Sequence, residues 1–114
     1  MLTLEKLREL GANTEEGMAR CRNNEEFYLK LVGMALADDS FEKLAEAVEK
    51  KDLDEAFERA HALKGVLGNV SLTSLAEPVV EVTEELRARK DIDYSPYIEK
   101  MNDLLAKFRE LANG

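Results

Sequence analysis

Between Leu53 and Val70 the apolar residues fall on a single stripe. Leu53, Ala56, Ala60, Leu63, Leu67 and Val70 recur at alternating spacings of three and four, which is the period of an α-helix with one narrow buried seam. Two later segments repeat that spacing, Leu75, Val79, Val82 and Leu86, then Tyr97, Met101, Leu104, Phe108 and Leu111. Stripes of this kind joined by short links must be buried against one another, and short links make neighbouring helices antiparallel. The chain is expected to be all-α: an antiparallel four-helix bundle over residues 24–112, with one or two short N-terminal helices over 1–23 packed over it. The histidine-bearing helix is expected at about 53–69.

Composition agrees with that class. In 114 residues there are no Trp, two Pro and six Gly, while Ala, Leu, Glu and Lys are plentiful and β-branched residues few. These are helix formers. The length corresponds to one domain, 1–114, large enough to bury a core without disulfide or metal staples. The lone Cys21 allows no intrachain disulfide and is expected to pack. A formal charge of −8 disfavours nucleic acid and anionic membrane surfaces, since neither meets a basic stripe. No signal-like opening and no apolar run near the ~20 residues of a membrane span is found, so a cytoplasmic protein is expected, and a monomer from its acidic, charge-mixed surface.

Caps and breaks divide the rest of the chain. Thr3 can open a short helix ended by Gly11, and Asn13 or Thr14 a second that ends near Asn23. Asn24, with Glu25 and Glu26 behind it, opens a stronger helix whose apolar residues run most of the way round. Some of that surface could meet a partner, but the extra face is expected to be covered by the short helices. A break at 37–40 precedes a helix over about 40–50, with Phe41, Leu44, Ala45 and Val48 inward and a Glu46–Lys50 pair outside. Asp52 is a plausible cap for the seam helix. Ser71 or Ser74 can cap the next helix, and Ser74-Leu75-Ala76-Glu77 has the capping-box pattern. Pro78 falls in or just after its first turn, and Pro96 opens the last helix.

The chemistry concentrates on Ala60-His61-Ala62-Leu63-Lys64-Gly65-Val66-Leu67-Gly68-Asn69, which holds the only histidine. On a helix His61 points about 130° away from the centre of the seam, toward solvent. Lys64 lies on its flank, and Gly65 and Gly68 follow one and two turns along the same outer face. Each glycine is worse than alanine by roughly 0.8–1 kcal/mol inside a helix. On a solvent face it leaves bare backbone, which suits the close approach of another molecule. Phe57 and Val66, about 90° to either side of the seam, are candidates for an apolar docking patch.

An exposed imidazole can act as base, metal ligand or nucleophile. No Ser or Cys nucleophile and orienting carboxylate can be placed beside His61 to make a triad. One His with one distant Cys is a poor metal site, and the Glu-x-x-His repeat of metal-binding bundles is missing. A nearby lysine suits an imidazole that becomes anionic through a phosphoryl group. There is no GxxxxGK loop and no acid cluster for Mg²⁺ beside the histidine, so neither ATP binding nor turnover by the chain alone is expected.

His61-Ala62-Leu63-Lys64-Gly65, followed by Gly68-Asn69, resembles the signature of the histidine-containing phosphotransfer (HPt) domain of two-component phosphorelays. The resemblance extends by helix layout over about residues 24–110. It implies that His61 takes a phosphoryl group from a receiver-domain phospho-aspartate and passes it to another, with Lys64 stabilising the group, Gly65 leaving room for the partner and Asn69 near the docking surface. The implied partners are a response-regulator receiver domain and a hybrid histidine kinase. No cofactor or metal is implied on this chain, and Mg²⁺ comes with the receiver. The sequence departs from the family where small residues often follow the glycine, with Val66 and Leu67 in their place, and where a glycine usually stands two positions beyond the asparagine, with Ser71 in its place. The rival reading is a non-catalytic helical adaptor that binds a receiver or kinase without carrying phosphate. Intact His61 and Lys64 argue against it.

Overall fold

A computed structural model describes residues 1–113; Gly114, the end of the expected domain, lies outside them. The described residues form seven helices: α1 (Leu4–Glu9), α2 (Thr14–Arg20), α3 (Glu25–Leu36), α4 (Ser40–Glu49), α5 (Leu53–Asn69), α6 (Thr73–Arg87) and α7 (Ser95–Asn113). The body is all-α and somewhat elongated, 43 × 25 × 20 Å.

Helices α4–α7 make the bundle. α5 packs against α4 and α6, α7 packs on α6 and closes onto α4, and α3 lies against α7. The antiparallel sense is fixed by ties between opposite ends. Arg89, just past α6, meets Asp54 at the start of α5 at 2.6 Å. Arg109 near the end of α7 meets Glu42 at the start of α4 at 2.7 Å and donates to the Leu36 carbonyl at 2.8 Å. The Arg109 guanidinium, through its hydrogen bond, holds the Glu42 carboxyl below the usual range.

The seam of α5 behaves as its spacing requires. Ala56, Ala60, Leu63 and Leu67 are fully buried, and Val70 is buried just beyond the helix. Against them sit Leu75, Val79, Val82 and Leu86 of α6, Phe41 and Leu44 of α4, and Met101, Leu105 and Phe108 of α7. Thr3, Asn13, Asn24 and Asp52 each accept a backbone N–H of the helix that follows. Glu46 and Lys50 pair at 2.6 Å. Cys21 is buried.

Two local expectations are corrected. Ser74 does not cap α6, which starts at Thr73 with no side-chain cap. Its hydroxyl instead donates to the Leu10 carbonyl, and its N–H to the Gly11 carbonyl at 3.3 Å. A capping-box spacing thus serves to fasten α1 onto α6. The outer face of α3 is also left uncovered: Phe27 is 48% and Met34 61% exposed. α2 does pack on α3, with Gly17 against the buried Tyr28, but both short helices are hydrogen-bonded at the α5–α6 turn and the start of α6 and leave Phe27 and Met34 open. Pro78 stands inside α6, one turn past its start, and is buried.

Candidate functional site

His61 projects from the middle of α5, exposed, beside the fully buried Ala60. One turn earlier Phe57 is half-buried against the core, and the two rings stack with centroids 5.7 Å apart and planes 15° apart. Helical side chains lean toward the N-terminus, so His61 leans onto Phe57. The Arg87 guanidinium of α6 stands 5.0 Å from the centroid of the Phe57 ring and is itself tied to Glu84 at 3.3 Å.

On the other side of His61 the helix is bare. A Cβ built on Gly65 or Gly68 would meet nothing within 4 Å. Lys64 is half-buried and has no hydrogen-bond or ion-pair partner among the described residues, so its ammonium is free to meet an anion. Asn69, the last residue of α5, is exposed. Val66 is half-buried and belongs to the other flank of α5, about 140° round from His61. The helix therefore gathers His61, Phe57, Lys64, Gly65 and Gly68 toward one side and leaves Val66 apart.

The C-terminal end of α5 closes in the pattern of a left-handed helix stop. Ser71 has φ 55°, its N–H reaches the Gly68 carbonyl at 3.2 Å, and the Leu72 N–H reaches Leu67 at 3.1 Å. Glycine would take that conformation without the cost of a side chain. At this position the side chain makes its own contact: the Ser71 hydroxyl donates to Glu16 at 2.7 Å, and the Ser71 carbonyl accepts the Asn13 N–H at 2.8 Å. Arg20 donates to the Gly68 carbonyl at 3.2 Å, and the buried Tyr28 hydroxyl donates to the Val70 carbonyl at 2.8 Å. Burial, with smaller contributions from Cys21 and Glu16, pushes the Tyr28 phenol up to about 12.

Phe57 is legible in the sequence. Arg87, Glu16, Arg20 and Tyr28 carry no such signal, since each meets the site across many residues of chain. Among the described residues no group of three or more His, Cys, Asp or Glu could hold a metal ion. No helix of the described residues is long and apolar enough to cross a membrane. A cavity of about 500 Å³ lies at the opposite end of α5, among Val48, Lys51, Leu53, Ile92 and Tyr94. His61 does not line it.

Comparison with known proteins returns one family model, the Hpt domain, matching residues 34–111. Neither a curated protein nor a solved structure gives a match. The match takes in the last part of α3 and all but the final residues of α4–α7, with the whole His61 face, and leaves α1 and α2 outside it. On that match the chain belongs to the Hpt domain family, whose members are phosphoryl carriers acting through histidine in phosphorelays.

Proposed function

We propose that His61 is the phosphoryl acceptor of this Hpt domain, taking the group from a receiver aspartyl phosphate and passing it to another receiver aspartate. The observation that carries the reading is the position of the only histidine. It is exposed at mid-helix inside the family match, between an anchored aromatic ring and bare glycine backbone, with an unpaired lysine three residues on.

The transfer balances without an added reactant. A lone pair of the imidazole attacks phosphorus, the N–P bond forms, and the acyl O–P bond breaks with its electrons returning to the aspartate carboxylate. The second ring nitrogen keeps its proton. Such a step needs in-line approach and neutralised oxygens more than covalent machinery. Lys64 supplies a cation for those oxygens. The acidic pocket and its Mg²⁺ belong to the receiver. Gly65, Gly68 and Asn69 form the open track on which that partner would dock, with Phe57 at its margin and Val66, on the other flank, outside it. The proposed partners are a response-regulator receiver domain and a hybrid histidine kinase, met by a monomer in the cytoplasm.

The test is phosphotransfer from a panel of phosphorylated receivers to wild type, His61→Gln and Lys64→Ala. Acid-labile label on wild type and none on His61→Gln is expected. Lys64→Ala should fold normally and accept label about tenfold more slowly, as expected from the loss of one charge-assisted contact. Label on His61→Gln would sink the assignment, and receiver binding without transfer would favour the adaptor.

A further inference from the structure

We infer that Phe57 is a positioning residue for His61: it fixes the plane of the imidazole, and Arg87 holds Phe57 in place. The inference rests on His61 being the acceptor, and it adds a role that the docking margin alone would not give Phe57.

An exposed histidine in the middle of a helix ordinarily samples several rotamers. His61 is constrained on one side only. The near-parallel Phe57 ring lies against the imidazole with centroids 5.7 Å apart, an offset-stacked arrangement that aromatic pairs favour. Phe57 in turn is held by its packing against the core and by the Arg87 guanidinium over its ring, a cation–π contact. Glu84 restrains Arg87. The chain of contacts thus runs from α6 to the imidazole. On the opposite side Gly65 brings no atom to the ring, and a Cβ there would meet open space.

The geometry bears on the chemistry because the nucleophilic lone pair lies in the plane of the imidazole. Setting that plane sets the line along which phosphorus must approach, and in-line approach is what phosphoryl transfer asks of its protein. An offset-stacked ring also leaves the edge of the imidazole free, so its nitrogens stay open. Phe57 therefore acts through His61 and does not touch the phosphoryl group.

The experiment uses the full chain with labelled histidine, as wild type, Phe57→Leu, Phe57→Tyr and Arg87→Gln. Nuclear magnetic relaxation reports the order of the imidazole. Label is supplied by phosphoramidate, which gives up its phosphoryl group with loss of ammonia and needs no docking, and separately by a phosphorylated receiver. Phe57→Leu should loosen the imidazole and slow labelling from both donors about three- to tenfold; the slowing with phosphoramidate, which needs no docking, separates positioning from any change in the half-saturating receiver concentration. Phe57→Tyr keeps the stack and should restore both readings. Arg87→Gln removes an exposed side chain and should shift ring order and rate the same way by less, which keeps the test open if Phe57→Leu fails to fold.

An imidazole as mobile in wild type as in Phe57→Leu would overturn the role, and so would a Phe57→Leu effect confined to half-saturation. An Arg87→Gln protein indistinguishable from wild type would remove Arg87 from it. Absence of label on wild-type His61 from both donors would overturn the acceptor reading itself. Label on wild type with an unchanged Phe57→Leu rate would overturn only the positioning role of Phe57.

Discussion

The two ends of α5 are secured by different means. At its start everything is local: the Asp52 side chain accepts the Glu55 N–H at 3.2 Å, the Asp52 carbonyl accepts the Ala56 N–H at 2.9 Å, and Asp54 and Glu55 sit in the first turn, where acids complement the helix dipole. The tie to a neighbouring helix segment is the exposed Arg89–Asp54 pair. At its end nothing is local beyond the left-handed stop. No basic residue occupies the last turn, and two glycines weaken the helix. Asn13, Glu16, Arg20 and Tyr28 come from 42 or more residues away to bind the terminal carbonyls and Ser71. The difference has a functional logic. The outer face near the histidine can stay bare because the helix end is held by its carbonyls, from behind. The segment that supplies those contacts precedes the family match at 34–111, so this chain stabilises its histidine-bearing helix with residues that lie ahead of that match.

The largest effect should come from disturbing that far grip. A Cβ on Gly17 would press into the Tyr28 ring and stand 2.7 Å from its hydroxyl oxygen, and a core ring cannot yield as a flexible chain end would. Gly17→Ala is expected to cost about 1–3 kcal/mol, the range of overpacking, as a lower urea midpoint. Tyr28→Phe comes next. It leaves the Val70 carbonyl without its buried donor, for about 1–2 kcal/mol. It also changes the alkaline limb. The folded phenol titrates near 12 and the unfolded one near ~10, so the unfolded chain loses its proton first. Stability complete below pH ~10 should fall as pH rises toward about 12, and Tyr28→Phe should flatten that decline. A remainder is expected from Tyr94, whose phenol burial also raises. An unchanged alkaline limb in Tyr28→Phe would mean that the hydroxyl does not hold the end of α5.

The same contrast explains what the sequence discloses. Local signals are readable: the seam from Leu53 to Val70, the caps at Thr3, Asn13, Asn24 and Asp52, and the His61-to-Asn69 signature all follow from spacings within a turn or two. Ser74 misleads because its spacing to Glu77 is also local, while its actual partner, Leu10, is 64 residues away. Ser71 reads as a departure from the family. Its left-handed backbone and its bond to Glu16 make it a junction, and no window along the chain contains both partners. The extra face of α3 reads as covered because the helix is apolar most of the way round, but α1 and α2 are hydrogen-bonded at Leu10, Gly11 and Ser71, and Phe27 and Met34 stay exposed. Arg87 reads only as charge at a helix end, since its ring partner is on another helix.

Opposite signs separate stability from function on the bare face. Gly65→Ala adds a methyl that touches nothing, so the fold should gain about 0.8–1 kcal/mol from helix propensity. If the proposed docking face is right, the same methyl should slow transfer from a phosphorylated receiver. A variant that gains stability and keeps its full rate would show that the glycine is not kept for the partner.

The smallest effect belongs to the near end. Both members of the Arg89–Asp54 pair are well exposed, 62% and 80% at the side chain, and an exposed pair in water contributes little because its charges are screened and its side chains lose freedom. Arg89→Ala should therefore move the urea midpoint very little, and that small shift should vanish in high salt. Arg89 itself has φ 51°, a conformation in which glycine is unstrained, so Arg89→Gly should recover through the backbone what it loses with the ion pair. A loss as large as that of Tyr28→Phe would erase the asymmetry, because it would mean that the start of α5 also depends on a distant partner.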